Sequence, residues 1–304
     1  MVPICVFDAH CDTISRCWAL EEGLADNTGE VSLERTAGFA RYCQMFALWT
    51  AEGYSGWSAY QQLLKCFQEQ MEQNPGCVIQ CRTAAEAEQA NRQGRAAAFL
   101  TVEGAELLDC DPDRLPQAAR DGVVAINLTW NHANALSGAH ADRPEQGLSA
   151  AGRLFVKKME ELRILVDVSH LSEAGFWDVA EMASRPFIAS HSNAKSVWNH
   201  TRNLTNEQIT AIIGNQGVIG LNFYEGFVGG SRDLDMVRAH LDCILELGGA
   251  RNVALGGDWD GCDLITDLPA IDSLPRLYEY LLLHGYDEAV VQDLFYNNLM
   301  RVVR

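Results

Sequence analysis

Short apolar runs recur along the chain, and polar residues follow each of them. The runs lack an alternating polar face, which is typical of strands buried on both sides of a parallel sheet. Eight runs have this character, at residues 4–7, 44–48, 96–102, 123–128, 164–168, 186–189, 217–222 and 252–255. The pattern therefore predicts eight parallel strands.

Helical periodicity fills the intervals between these runs. Apolar residues recur at helical spacing over residues 57–71 and 234–245, and Gly248 is placed to end the second helix. Thr205 and Gln208 have the spacing of a capping box at the start of another helix. Strands and helices are thus predicted to alternate along the chain.

This alternation over 304 residues favours an α/β fold, a (β/α)8 TIM barrel that forms one domain over residues 1–304. A doubly wound open sheet is the alternative. Two predicted connections, residues 13–42 and 129–152, are long for a barrel. Loops of that length are usually functional or disordered.

Composition and charge exclude several classes of partner. The chain has 41 acidic and 23 basic residues and a formal charge of −18, so it lacks the excess of positive charge that binds nucleic acid or an anionic membrane. No apolar run reaches the ~18–20 residues that cross a bilayer, and the first residues do not read as a secretion leader. The ten cysteines include no Cys-x-x-Cys pair, which favours reduced thiols in a cytoplasmic protein.

Histidines and carboxylates follow most of the predicted strands. The active sites of such barrels lie at the carboxyl ends of the strands, where this chain has His10, Asp12, Glu103, His170, His191 and Asp258. Imidazoles and carboxylates are ligands that suit zinc and related divalent ions. Each residue alone has a simpler interpretation, as a structural histidine, a helix cap or a turn residue. Their coincidence on one face indicates a metal centre.

The spacing assigns these residues to two ions. His10 and Asp12 are two apart in an extended segment and point the same way, so we expect them to hold one ion together with Glu103. His170 and His191 follow adjacent strands and would hold the second ion, with Glu103 as the bridge. A hydroxide held between two ions ~3.5–4 Å apart is a ready nucleophile near neutral pH.

Seven short stretches carry a resemblance that covers nearly the whole chain. The sequence resembles the membrane (renal-type) dipeptidase family of zinc peptidases, and more closely its soluble bacterial members. The stretches are DAHCD at 8–12, VEG at 102–104, NLTWN at 127–131, VDVSH at 166–170, ASHS at 189–192, RNL at 202–204 and GGDWDG at 256–261. One stretch alone would be a weak signal, whereas all seven in order are highly specific.

The resemblance implies a barrel with two zinc ions that hydrolyses small dipeptides, including those with a D-residue at the carboxyl end. It reproduces the five ligands named above, with Glu103 as the bridge. It also implies that Arg202 holds the substrate's carboxylate and that Asp258 is the catalytic carboxylate. Related proteins suggest a homodimer. The membrane location of the mammalian members is not carried over.

One position departs from the family pattern. Family members have a histidine after the fourth strand, directly after Leu-Thr in the mammalian pattern, but this chain has Trp130 there, followed by Asn131 and His132. We assign substrate binding to His132, displaced by two residues, with replacement by Asn131 or loss of the role as alternatives. The remaining histidines are interpreted as structural or solvated: His140, His200, His240 and His284.

The resulting hypothesis is a zinc-dependent dipeptidase with a metal-bridging hydroxide. Arg202 would hold the carboxylate of the dipeptide, and Asp258 would take the hydroxide proton and pass it to the leaving amine. One alternative is a binuclear hydrolase of another bond, such as a lactam, a lactone or a cyclic imide, because a fold does not determine its chemistry. Another is a non-catalytic relative that binds metal or peptide, against which the intact Asp258 counts.

Overall fold

Parallel strands close into a barrel in the computed structural model of the chain, which describes residues 3–51 and 55–303. In chain order the strands are β1 (Cys5–Cys11), β2 (Arg41–Leu48), β3 (Val78–Gln80), β4 (Ala96–Val102), β5 (Val123–Asn127), β6 (Leu165–Asp167), β7 (Ile188–Ala189), β8 (Val218–Leu221) and β9 (Val253–Leu255). Around the barrel the order is β1-β2-β4-β5-β6-β7-β8-β9, and β9 pairs with β1. The predicted (β/α)8 barrel is therefore confirmed, and the open sheet is excluded.

The strand β3 was not predicted. It contains three residues, pairs only with the start of β4, and is not one of the eight strands that close the barrel. Its sequence, Val-Ile-Gln, is too short to stand out as an apolar run. Each of the eight predicted runs corresponds to one of the other strands.

Helices connect the strands. They are α1 (Thr13–Leu20), α2 (Leu33–Thr36), α3 (Trp57–Gln73), α4 (Ala84–Arg92), α5 (Leu115–Asp121), α6 (Ala150–Glu161), α7 (Glu173–Met182), α8 (Asn206–Gly214), α9 (Glu225–Val228), α10 (Leu234–Glu246), α11 (Leu274–Leu283), α12 (Glu288–Gln292) and α13 (Asn298–Val302). The capping box of Thr205 and Gln208 is present at α8, and α10 ends just before Gly248, as predicted. No helix in the described part of the chain is both apolar enough and long enough to cross a membrane.

The barrel interior is a packed core. Phe7 of β1 and Phe99 of β4 stack with ring centroids 5.1 Å apart although β2 separates their strands, so both rings lie inside the barrel. Cys43 and Met45 of β2 belong to the same buried cluster, as expected for residues two apart on a strand. A larger cluster joins the outer faces of the strands to the helices.

Two glycines bring the carboxyl ends of the last three strands together. A Cβ atom on Gly220 of β8 would lie 1.8 Å from the carbonyl oxygen of Ser190, and one on Gly256, just after β9, would lie 1.9 Å from the same oxygen. Only glycine permits this approach at either position. The contact fixes the segment that carries His191, the residue after Ser190.

Candidate metal centre

The end of β1 places His10 and Asp12 side by side. Their Nε2 and Oδ2 atoms are 3.5 Å apart, and both side chains are almost completely buried. The buried carboxylate of Asp8 holds this strand end, because it accepts hydrogen bonds from the backbone N–H groups of His10 (3.0 Å) and Gly257 (2.9 Å). The two side chains therefore face the same point, and their role as ligands of one ion stays a prediction.

Glu103, the first residue after β4, lies between two groups of imidazoles. Its Oε2 atom is 3.6 Å from Nε2 of His10. Its Oε1 atom is 2.9 Å from Nε2 of His170 and 3.4 Å from Nε2 of His191. The two oxygens of one buried carboxylate thus face opposite sides of the cluster, which is the arrangement that a bridging ligand requires.

His170 and His191 project from the ends of the neighbouring strands β6 and β7. Their Nε2 atoms are 2.9 Å apart, and the other ring nitrogens contact Asn131 (2.9 Å) and Ser190 (2.7 Å). His170 has a left-handed backbone with φ of 69°. Such strain in a residue other than glycine concentrates at functional sites.

The electrostatic environment gives the three imidazoles different pKa values. Burial would lower the pKa of His10, but the carboxylates of Glu103, Asp12 and Asp258 outweigh burial and raise it to about 10. Burial, reinforced by nearby positive groups, lowers the pKa values of His170 and His191 well below the ordinary range. These two histidines are therefore neutral at pH 7, the form in which imidazole binds a metal.

Asp258 follows β9 and joins the cluster at its edge. Its Oδ1 atom is 3.8 Å from Nε2 of His10, and its Oδ2 atom accepts a hydrogen bond from Nδ2 of Asn222 at 2.9 Å. Asp258 also has a positive φ, of 63°. A Cβ atom on Gly261 would lie 2.2 Å from Oδ2 of Asp12 and 2.9 Å from Oδ1 of Asp258, so a glycine is needed to keep both carboxylates in this space.

Arg202 lies on the long connection after β7 and is buried, with 3% of its surface exposed. Its two terminal nitrogens donate to Oγ of Ser192 and to the carbonyl oxygen of His191, whereas its Nε atom has no hydrogen-bond partner. Burial lowers the pKa of Arg202 to about 10, opposed by Asp258 and Glu103, so the guanidinium remains charged at neutral pH.

The connection after β5 carries two histidines, His132 and His140, in different surroundings. His132 is exposed, with its ring 6.2 Å from that of Trp130, and its substrate role stays a prediction. His140, which we interpreted as structural or solvated, instead lies beside the cluster. Its ring is 5.8 Å from that of His170, and burial lowers its pKa to about 3.

Other residues beside the cluster were also missed. Asn222, which holds Asp258, ends a predicted strand and was visible as a polar residue at that position. Asn131 was considered only as a substrate contact. Of the other histidines, His240 is a buried structural residue that accepts a hydrogen bond from the N–H of Ala194.

The residues present fit a pair of divalent cations. Nε2 of His10 and Oδ1 of Asp12 are buried without a hydrogen-bond partner, a costly state that a bound cation would relieve. The ligand atoms of His10, Asp12 and Asp258 lie within 4.8 Å of one another, as do those of His10, Glu103 and His191. The carboxylates that favour a proton on His10 favour a divalent cation there for the same electrostatic reason.

Comparison with known proteins identifies a family for this fold and cluster. A model of the membrane dipeptidase family, peptidase family M19, matches residues 1–304. An uncharacterized protein in the pqqA 5′ region of Klebsiella pneumoniae is 36% identical over an alignment of 236 residues, and the alignment covers 74% of this chain and 87% of that protein.

Solved structures of metallopeptidases share the fold. One is a metallopeptidase from Rhodobacter sphaeroides liganded with a phosphinate mimic of the dipeptide L-Ala-D-Ala. It is 28% identical, has a TM-score of 0.90, and 99% of each chain is covered. Another is the dipeptidase AC of family M19, at 28% identity and a TM-score of 0.91, with 99% of this chain and 98% of that chain covered.

Substitution of Glu103 tests the shared carboxylate. We expect Glu103→Ala to reduce the content of both ions and the activity together, because each Glu103 oxygen faces a different group of ligands. His191→Ala is the matched comparison and should weaken only one ion. Elemental analysis after dialysis against a weak chelator measures both contents. Two tightly held ions in Glu103→Ala would remove it as the bridge.

Proposed function

Because the chain belongs to the membrane dipeptidase family of metallopeptidases, we propose that it is a zinc-dependent dipeptidase whose site takes dipeptides with a free carboxyl end. The observation that carries this proposal is the position of Glu103, with one carboxylate oxygen toward His10 and the other toward His170 and His191. The five proposed ligands, three imidazoles and two carboxylates, suit zinc and related divalent ions. When bound, two such ions would supply a water ionised near neutral pH and a Lewis acid for the scissile carbonyl.

The charges around the cluster suit a zwitterionic substrate. The guanidinium of Arg202 is buried and has an unpartnered Nε–H, so it can donate to a substrate carboxylate. The substrate's ammonium group would meet a carboxylate near the metal ligands. A site that binds both ends of a dipeptide in this way would disfavour longer peptides.

We include dipeptides with a D-residue at the carboxyl end among the substrates. The Rhodobacter sphaeroides metallopeptidase was crystallised with a mimic of L-Ala-D-Ala, and that chain is similar to this one over its whole length. A planar guanidinium that contacts only the carboxylate does not select the configuration of the adjacent carbon.

The proposed proton carrier is Asp258. Asn222 binds one of its oxygens and leaves Oδ1 directed at the ligand cluster. From there Asp258 can take a proton from the attacking water and deliver it to the leaving nitrogen. The positive φ of Asp258 and the glycine at 261 keep the carboxylate at this edge of the cluster.

We also propose that residues 1–304 act as one catalytic unit in the cytoplasm. All ten cysteines are unpaired thiols in the structure, which is typical of a reducing compartment.

A hydrolysis panel tests the proposal. The purified protein, loaded with Zn²⁺, is assayed on L,L and L,D dipeptides, on a tripeptide, and on a lactam, a lactone and a cyclic imide. We expect turnover of both dipeptide series and little of the tripeptide. Turnover confined to a cyclic substrate would assign a different hydrolase activity, and binding of dipeptide without turnover would indicate a non-catalytic relative.

Asp258→Asn should lower kcat on dipeptides by roughly 10²–10⁴-fold, the range for loss of general acid–base catalysis. Its bound metal should be unchanged, because five ligands remain. Steady-state kinetics and elemental analysis of the same preparation measure the two effects. Near wild-type turnover in this variant would show that Asp258 is not the proton carrier.

Arg202→Met should reduce kcat/KM on free dipeptides by roughly ten- to hundredfold, from about 1.5–3 kcal/mol for hydrogen bonds to a charged group. The loss should be much smaller on a dipeptide amide, which lacks the carboxylate. Arg202→Lys keeps the positive charge but lacks the planar guanidinium, so its kcat/KM on free dipeptides should lie between those of the wild type and Arg202→Met. An equal loss on acid and amide would contradict the carboxylate contact.

A further inference from the structure

The long connection after β5 binds His170 at its backbone. The carbonyl oxygen of His170 accepts hydrogen bonds from the backbone N–H of His140 (2.9 Å) and from Oγ1 of Thr129 (3.3 Å). Ala139 and Leu171 also form an isolated antiparallel bridge. Contacts from the start and the middle of one connection thus hold the strained backbone of His170 in its left-handed conformation.

The same connection binds the ring of His170. Oδ1 of Asn131 is 2.9 Å from Nδ1 of His170 and 2.8 Å from Nε2 of His140. An amide oxygen can only accept, so both imidazoles donate to it. The Nδ1–H of His170 is thus fixed by Asn131, and Nε2 is the ring nitrogen that faces Oε1 of Glu103, 2.9 Å away.

His140 is held in turn from another part of the chain. With its proton on Nε2, its Nδ1 atom accepts a hydrogen bond from Oγ1 of Thr201 at 2.9 Å. Thr201 precedes Arg202, the proposed carboxylate ligand. A chain of three hydrogen bonds thus runs from the Arg202 segment through His140 and Asn131 to the ring of His170.

We propose that Asn131 and His140 are positioning residues that fix the tautomer and orientation of His170 for metal binding. This inference rests on the proposed two-ion site. A histidine that binds a metal commonly donates its second N–H to a fixed acceptor, which makes the ring a stronger ligand. Asn131 is that acceptor, and His140 orients its amide oxygen.

The geometry argues against the side-chain oxygen of Asn131 as a substrate contact. A carbonyl oxygen has two lone pairs, and both of those on Oδ1 are used by imidazole N–H groups. The oxygen of Asn131 is therefore not left for a substrate donor. A positioning role also explains why a histidine and an asparagine nine residues apart meet at one atom beside the cluster.

The affinity for Zn²⁺, measured on stripped and reloaded full-length protein by competition with a chromophoric chelator, tests this role. Asn131→Leu has a similar branched shape but no acceptor, and should weaken the binding of one of the two ions by roughly ten- to hundredfold. Asn131→Asp keeps an acceptor oxygen and should stay within a few-fold of wild type. His140→Phe should weaken the same ion by a smaller factor, whereas His284→Phe, at an exposed position, should change neither.

The results separate this inference from its rivals. Wild-type affinity for both ions in Asn131→Leu, with only KM raised, would make Asn131 a substrate contact and overturn the inference. Equal losses in Asn131→Leu and Asn131→Asp would also overturn it, because the acceptor would not matter. If Asn131→Leu does not fold by circular dichroism, His140→Phe decides, and unchanged Zn²⁺ affinity there rejects the role.

Failure of the proposed function is recognised separately. Wild-type protein that binds no Zn²⁺ would overturn both proposals. Wild-type protein that binds two ions without hydrolysing dipeptides would overturn the dipeptidase proposal alone, since the affinities of the variants would still decide the role of Asn131.

Discussion

The site depends on the buried carboxylate of Glu103, which lies between His10 on one side and His170 and His191 on the other. Burial raises the pKa of Glu103 well above its usual range, opposed by His10 and reinforced by the neighbouring carboxylates Asp12 and Asp258. A buried carboxylate without compensation is costly. The imidazoles on both sides of Glu103 compensate only in part, since His170 and His191 are neutral. Two cations between these groups would compensate the remaining negative charge. The proposed chemistry follows from the charge of these cations.

The barrel creates this constraint because it brings distant strand ends to one face. Two buried aspartates stabilise the strand ends that carry the proposed ligands, and both do so with the same type of hydrogen bond. Oδ1 of Asp8 accepts the N–H of His10, and Oδ1 of Asp167 accepts the N–H of Ser169, in each case two residues further along the chain. The positive φ angles of His170 and Asp258 are tolerated in this setting because hydrogen bonds from neighbouring segments hold both residues.

Much of this could be predicted from sequence because the signals are local. A buried parallel strand is a continuous apolar run, and the ligands follow directly after such runs. The contacts of Asn131 with His170 and His140 span 39 and 9 residues and depend on the path of a long connection, so no spacing rule indicates them. For the same reason His140 was interpreted as structural or solvated, because nothing in its local sequence indicates that it lies beside His170.

Anomalous diffraction at the zinc edge is the sharpest test of whether Glu103 bridges two ions. The crystals would contain the full-length protein reloaded with Zn²⁺. We expect two peaks, each at about 2.0–2.2 Å from a different oxygen of Glu103, one toward His10 and Asp12 and the other toward His170 and His191. A single peak, or two peaks that Glu103 does not join, would contradict the bridging role.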